Sequence, residues 1–173
     1  MKIALCLHGY FANAEGYEES VKAHKYLKRK VLDGNDVDVF IHSWDLENEK
    51  KVLSLYNPKK YNFEKQLDFK EELEKINIDN EEYKSSYGNT VFRTLSFLYS
   101  RMMAVKIKSD YEEEKKIKYD CVILARFDIS RRGLKHHQTF YVTKMNFNPN
   151  FDMQYVYSAF WPQLNHGYAD HWF

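Results

Sequence analysis

The apolar positions of this chain fall into short dense runs separated by longer amphipathic stretches, and the two kinds alternate. Residues 2–8 (KIALCLH) form an apolar run closed by Gly9, which predicts a first strand. Residues 15–32 place Tyr17, Val21, His24 and Leu32 roughly on one helical face, and Gly34-Asn35-Asp36 supplies a stop signal. Residues 37–42 (VDVFIH) predict a second strand that exits into Ser43-Trp44-Asp45. A helix is expected over 47–56, ending ahead of Pro58 because the residue before a proline disfavours the helical region. A short third strand near 60–64 follows, then a charged, solvated helix and loop over 68–84. Val91, Leu95, Leu98, Met102 and Val105 recur at steps of 4, 3, 4 and 3, which predicts a helix over 90–108 with that stripe turned to the core. The run DYEEEKKIK (110–118) reads as an exposed helix end and loop, and 119–125 as a last strand. Strands alternating with helices predict an α/β fold, one domain over 1–173, with a mostly parallel, Rossmann-like sheet covered on both faces. Ligands of such sheets sit at the carboxyl ends of the strands. Gly9-Tyr10, Ser43-Trp44-Asp45 and Arg126-Phe127-Asp128 are then expected to converge on one crevice.

Composition narrows the partners. Hydrophobic residues make up 44% of the 173, enough for a core, and the net charge of +1 gives no case for nucleic acid. No apolar run approaches the ~18 residues of a membrane span. MKIALCLHGY lacks a small-residue cleavage site and reads as a strand, not a signal peptide. Cys6 and Cys121 sit in predicted strands with no CxxC spacing, so buried reduced thiols in a cytoplasmic protein are expected. LHGY is similar to the oxyanion-hole turn of α/β-hydrolases, but no G-x-S-x-G elbow accompanies it, which disfavours serine hydrolysis. The absence of G-x-G-x-x-G and of a P-loop argues against nucleotidyl- and methyltransferases.

Asp128 is the sharpest candidate for chemistry. A carboxylate at a strand exit can hold Mg²⁺ or Mn²⁺, and the metal can neutralise a diphosphate; the same carboxylate can instead cap the next loop or pair with Arg126. Arg126 lies two residues earlier, so an extended strand points it to the face of Asp128. Arg131 and Arg132 suit phosphate by their planar fork, or form a solvated basic loop. Gly9 permits a sharp turn after the first strand. Tyr10 or Phe11 can stack on a nucleobase or fill the core. His42 and Asp45 have only weak metal-ligand spacing, and a buried, hydrogen-bonded His42 is the better expectation. Asp170-His171-Trp172 can bind a sugar through an aromatic face beside a carboxylate. His136-His137 is expected at the surface.

MKIALCLHG, DVDVFIHSWD, YNPKKYNFEKQLDF, TLSFLYSRMMAVKIK, YDCVILARFD and the terminal YADHWF occur in that order. Together they resemble a family of GT-A-like glycosyltransferases found among bacterial surface-polysaccharide genes and in some viruses, and the resemblance spans essentially the whole chain. It implies the nucleotide-binding half of a GT-A-like fold. It also implies a nucleotide-sugar donor and a glycan or lipid-linked saccharide acceptor. Gly9 and Tyr10 would fall in the nucleotide region, and Asp128, with Arg126 nearby, at the position of the metal and diphosphate. Asp170 would lie by the donor sugar or acceptor, where it would act as the general base. The chain departs from the family pattern in three ways. The usual D-x-D is Arg126-Phe127-Asp128, which puts metal dependence in doubt. Phe11-Ala12-Asn13 stands where an arginine often follows the glycine of the first strand. The chain is also short for a complete enzyme, so the acceptor-binding part is expected to be reduced or missing. A non-catalytic nucleotide- or carbohydrate-binding module descended from such an enzyme is the alternative.

Overall fold

The first apolar run is flanked by a neighbouring strand on each side. A computed structural model describes residues 1–12, 16–76, 91–127, 152, 163–164 and 167–168. In it β1 (Lys2–Gly9) lies between β2 (Asp36–Ser43) and β4 (Cys121–Arg126), and β3 (Lys60–Phe63) pairs with the far side of β2. All pairings in this four-stranded sheet are parallel, in the order β3-β2-β1-β4. Ile3 through His8 are all buried, as an unbroken apolar run in an all-parallel sheet requires. The helices are α1 (Tyr17–Leu27), α2 (Glu49–Tyr56), α3 (Lys70–Ile76) and α4 (Val91–Lys115). Gln163–Leu164 and Gly167–Tyr168 form a separate antiparallel pair, β5 and β6.

The sheet is covered on both faces. Ile3, Leu5, Leu7, Val39, Ile41, Ile123 and Ala125 share one core with Leu27 and Val31, and with Val52 and Tyr56 of α2. Val31 belongs to a π-helical turn, Lys28–Leu32, that continues α1. Ala4, Cys6 and Phe40, which alternate with the first set, pack on Ala104 and Ile107 of α4. The expected fold class is therefore present: α/β, an all-parallel sheet and helices on both sides, compatible with a Rossmann-like arrangement.

One expectation about α4 holds and one is corrected. The helix runs on through Lys115, so 110–118 is its end and the loop that follows, as expected. The apolar stripe is not its buried face. Val91 is buried and Leu95 and Val105 are half-buried, but Leu98 and Met102 are 52% and 56% exposed. The helix instead meets the sheet through Ser96, Ser100, Ala104 and Ile107. Small side chains let the helix backbone approach the strands closely, and the two serines find polar partners there.

The amino edge of the sheet is closed by ion pairs and hydrogen bonds. Asp38 accepts from the Tyr119 hydroxyl at 2.7 Å and pairs with Lys2 at 3.3 Å and Lys59 at 3.4 Å. Asp120 accepts from the Lys2 amide at 2.6 Å. Buried Glu112 of α4 pairs with Lys108 at 2.9 Å and accepts from the Tyr119 amide at 3.1 Å. Cys6 is buried and Cys121 half-buried, and both are free thiols; burial pushes Cys6 up to about 12. Among the described residues no helix is long and apolar enough to cross a membrane.

Candidate functional site

Strand order locates the crevice. β1, β2 and β3 step to one side, whereas β4 returns to the other side of β1, so the direction of winding reverses between β1 and β4. That reversal opens a ligand crevice at the carboxyl edge of doubly wound sheets. Register aligns the strand exits. Gly9 pairs with Ser43, and His8 with both His42 and Arg126. The expectation that these exits point the same way holds for Gly9, Ser43 and Arg126.

Paired residues of parallel strands share a face. Asn62, His42, His8 and Arg126 thus form one row across the sheet on the α4 side. At 25 residues α4 is about 37 Å long, longer than any strand beneath it. Its Ala104 and Ile107 lie on the middle of the sheet, and Ser100 reaches Gly9 and His42 at the carboxyl edge. The residues before Ser100 form a wall above that edge. Tyr99 stacks on Trp44 at 5.5 Å, Phe92 meets Phe69 at 6.0 Å, and Ser96 accepts from Gln66 at 2.7 Å.

His42 is fully buried and both of its ring nitrogens are engaged, as expected. Nε2 lies 2.8 Å from Glu64 Oε1, and Nδ1 lies 2.7 Å from Ser100 Oγ. A carboxylate only accepts, so Nε2 carries the proton and Nδ1 accepts from the Ser100 hydroxyl. Ser100 Oγ in turn accepts from the Gly9 amide at 3.0 Å. Burial lowers the His42 pKa against the opposing pull of Glu64, consistent with this neutral tautomer. Carboxylate, imidazole and hydroxyl make the order of a nucleophilic triad, yet Ser100 is 1% exposed and its oxygen is already occupied. The chain of hydrogen bonds ties together β1, β2, α4 and the segment after β3. It holds the edge in place and is not built to attack.

Gly9 adopts φ 94°, a left-handed conformation that side chains disfavour, and a Cβ there would meet nothing within 4 Å. Backbone torsion, not crowding, therefore selects glycine. The Gly9 carbonyl accepts from Ser43 Oγ at 2.8 Å. Asp45 is buried and accepts from the Ala12 amide at 2.8 Å and from Asn48 at 2.9 Å, so it anchors the loop after β1. Of the two aromatics offered for stacking, Phe11 is core, edge-on to Phe127 and Tyr56. Tyr10 is 46% exposed, with its hydroxyl 3.4 Å from Gln66 Oε1.

His8 is 2% exposed. Burial, then the Arg101 and Arg126 guanidiniums, then His42, push its imidazole down to about 3, so it is neutral at ordinary pH. Its ring meets Phe97 edge-on at 5.3 Å, and the Arg101 guanidinium lies over the Phe97 ring, 4.9 Å from its centroid.

The structure thus brings Gly9, Tyr10 and Arg126 to one edge. Asp128 and Asp170 lie outside the described residues, as do Arg131, Arg132, His136, His137, His171 and Trp172. Sequence reading missed Glu64, Ser100 and Arg101. Each is an ordinary helix or loop residue whose role comes only from the strand it meets. Among the described residues no group of three His, Cys, Asp or Glu is placed to hold a metal, and Asp128, to which the resemblance assigns the cation, lies outside them. No family model matches the chain, and neither a curated protein nor a solved structure is significantly similar to it.

Proposed function

We propose that this protein is a glycosyltransferase that moves a sugar from a nucleotide-sugar donor to a hydroxyl of a glycan or lipid-linked saccharide. The observation that carries the reading is the winding reversal between β1 and β4, with Gly9, Tyr10 and Arg126 at its carboxyl edge. The ordered motifs that resemble GT-A-like enzymes support it. In this reading Tyr10 offers an exposed ring to the nucleobase, and the turn at Gly9 leaves room for the nucleotide beside the backbone. The acceptor oxygen attacks the anomeric carbon and its proton passes to the Asp170 carboxylate. The bond from that carbon to the diphosphate oxygen breaks, and its electron pair leaves with the diphosphate. Asp128 would hold a Mg²⁺ or Mn²⁺ ion, which would neutralise the charge on the departing diphosphate.

Titration calorimetry with a panel of nucleoside diphosphates and their sugars tests the reading, followed by chromatography of the products with and without acceptor. Binding and slow donor hydrolysis are expected. Asp128→Ala should abolish turnover with the fold intact, and Asp170→Asn should remove transfer while donor still binds. Binding without hydrolysis or transfer assigns the chain as a nucleotide-binding module. No binding to any member of the panel ends the proposal.

A further inference from the structure

Glu64 leaves the edge strand β3 at the carboxyl end of the sheet, where its amide donates to the Ser43 carbonyl at 3.1 Å. Its carboxylate accepts from His42 Nε2 at 2.8 Å. That histidine is itself immobilised: it is fully buried, bonded to Ser100 Oγ at 2.7 Å and edge-on to Trp44 at 4.8 Å. The carboxylate is therefore fixed in direction by a rigid partner, yet its side chain is 30% exposed. A carboxylate offers about four lone-pair sites. His42 and the neighbouring Tyr99 hydroxyl account for two, and the exposed remainder keeps acceptor capacity at the edge. Two residues on, Gln66 meets the exposed Tyr10. Its Oε1 lies 3.4 Å from the Tyr10 hydroxyl, and its Nε2 donates to Ser96 at 2.7 Å. A half-exposed aromatic ring and a locked carboxylate are thus brought together on the ligand edge of the sheet.

We propose that Glu64 reads the ribose of the nucleotide, accepting hydrogen bonds from its 2′ and 3′ hydroxyls while Tyr10 stacks on the base. The inference rests on the donor-binding reading above and deepens it by naming the group that recognises the nucleoside. A nucleoside presents a flat ring joined to a vicinal diol. The edge presents an aromatic face joined through Gln66 to a carboxylate. Hydroxyl donors make short, strong bonds to carboxylates. Pre-orientation adds to this, because a carboxylate already locked by His42 loses little freedom on binding. His42 and Ser100 are then positioning residues that aim the acceptor, and Glu64 is the group in contact with the ligand. No bond forms or breaks at Glu64; its work is to discriminate ribose from deoxyribose.

The test is calorimetry of the whole chain with UDP, GDP and ADP, with their 2′-deoxy counterparts, and with UDP-glucose, GDP-mannose and ADP-glucose. At least one ribonucleotide should bind about tenfold or more tighter than its 2′-deoxy form, as loss of one hydrogen bond to a carboxylate requires. Glu64→Gln keeps an acceptor for His42, and it should reduce that ratio to less than about threefold by weakening the ribonucleotide. Circular dichroism melts check that the variant folds, and the deoxynucleotide comparison on the parent chain needs no variant. Equal affinity of the parent for both forms overturns the ribose assignment while leaving the donor reading intact. So does a ratio that Glu64→Gln leaves unchanged, because the hydroxyl is then read elsewhere. A loss confined to the nucleotide sugars, with the bare diphosphates unaffected, moves the carboxylate to the transferred sugar and likewise overturns the assignment. Ribose-dependent binding with no hydrolysis or transfer of any nucleotide sugar upholds the assignment and removes the transferase reading. Failure of every nucleotide to bind removes both.

Discussion

Ser100 shows how much one hydroxyl can organise. It accepts from the Gly9 amide and donates to His42, whose other nitrogen is held by Glu64. Ser100→Ala strands a buried amide and a ring nitrogen together, and each unmet group costs about 1–3 kcal/mol. The variant should lose about 2–6 kcal/mol of unfolding free energy for the two groups together, read as a lower urea midpoint, and should also loosen the turn at Gly9. Gly9→Ala should cost about 1–2 kcal/mol from its left-handed backbone alone, since there is space for the methyl group. Both are checked by urea denaturation. The sequence flagged Gly9 because only glycine suits such a turn, and it gave the better expectation for His42. It could not flag Ser100 or Arg101, because a serine or arginine on a long helix carries no mark of what lies opposite.

At the scale of elements, the four strands of the parallel sheet were readable, the pair β5 and β6 was not, and the main helix was only half so. A central strand between two others must be apolar on both sides, so KIALCLH and DVFIH announce themselves. The face of α4 does not, because its contact with the sheet uses serines and an alanine while longer side chains stand outside. Hydrophobicity locates a helix face only where burial is achieved with large groups. The two faces should respond oppositely to substitution. Ala104→Leu forces bulk into a closed interface and should cost about 1–3 kcal/mol. Met102→Gln, at an exposed site, should stay within about 0.5 kcal/mol of the parent. Thermal melts of the pair separate the true contact face from the apparent one.

At the scale of the whole molecule, the three histidines among the described residues have their protonation suppressed. Burial is the leading cause for His8, His24 and His42, and all three lie below the ordinary value of 6.5. The unfolded chain therefore binds more protons than the folded one just below that value. Stability contributed by the neutral rings is complete above about pH 6.5 and falls as the solution becomes more acid, by up to ~1.4 kcal/mol per pH unit for each ring. For His8 the loss continues toward its folded value of about 3. Carboxylates held low by their partners, Asp38 and Glu112 among them, start from unfolded values of 3.8 and 4.5, so their loss falls at lower pH. Urea midpoints should change little between pH 7.5 and 6.5 and fall clearly between pH 6.5 and 5.5, and a profile flat down to pH 5.5 would exclude the buried neutral histidines as a source of stability.

The polar closure at the amino edge gives the two ends of the sheet different jobs. Burial pushes the Asp38 carboxyl up, but Tyr119, Lys59 and Lys2 outweigh it and keep the group ionised below its usual range. Asp38→Asn should lower the melting temperature without altering any ligand's dissociation constant, because Asp38 and Gly9 sit at opposite ends of paired strands. The two ends therefore differ in freedom: the amino end is sealed throughout, whereas at the opposite rim only side chains outside the Glu64–His42–Ser100–Gly9 network, such as the exposed Tyr10, can be exchanged without loosening the fold.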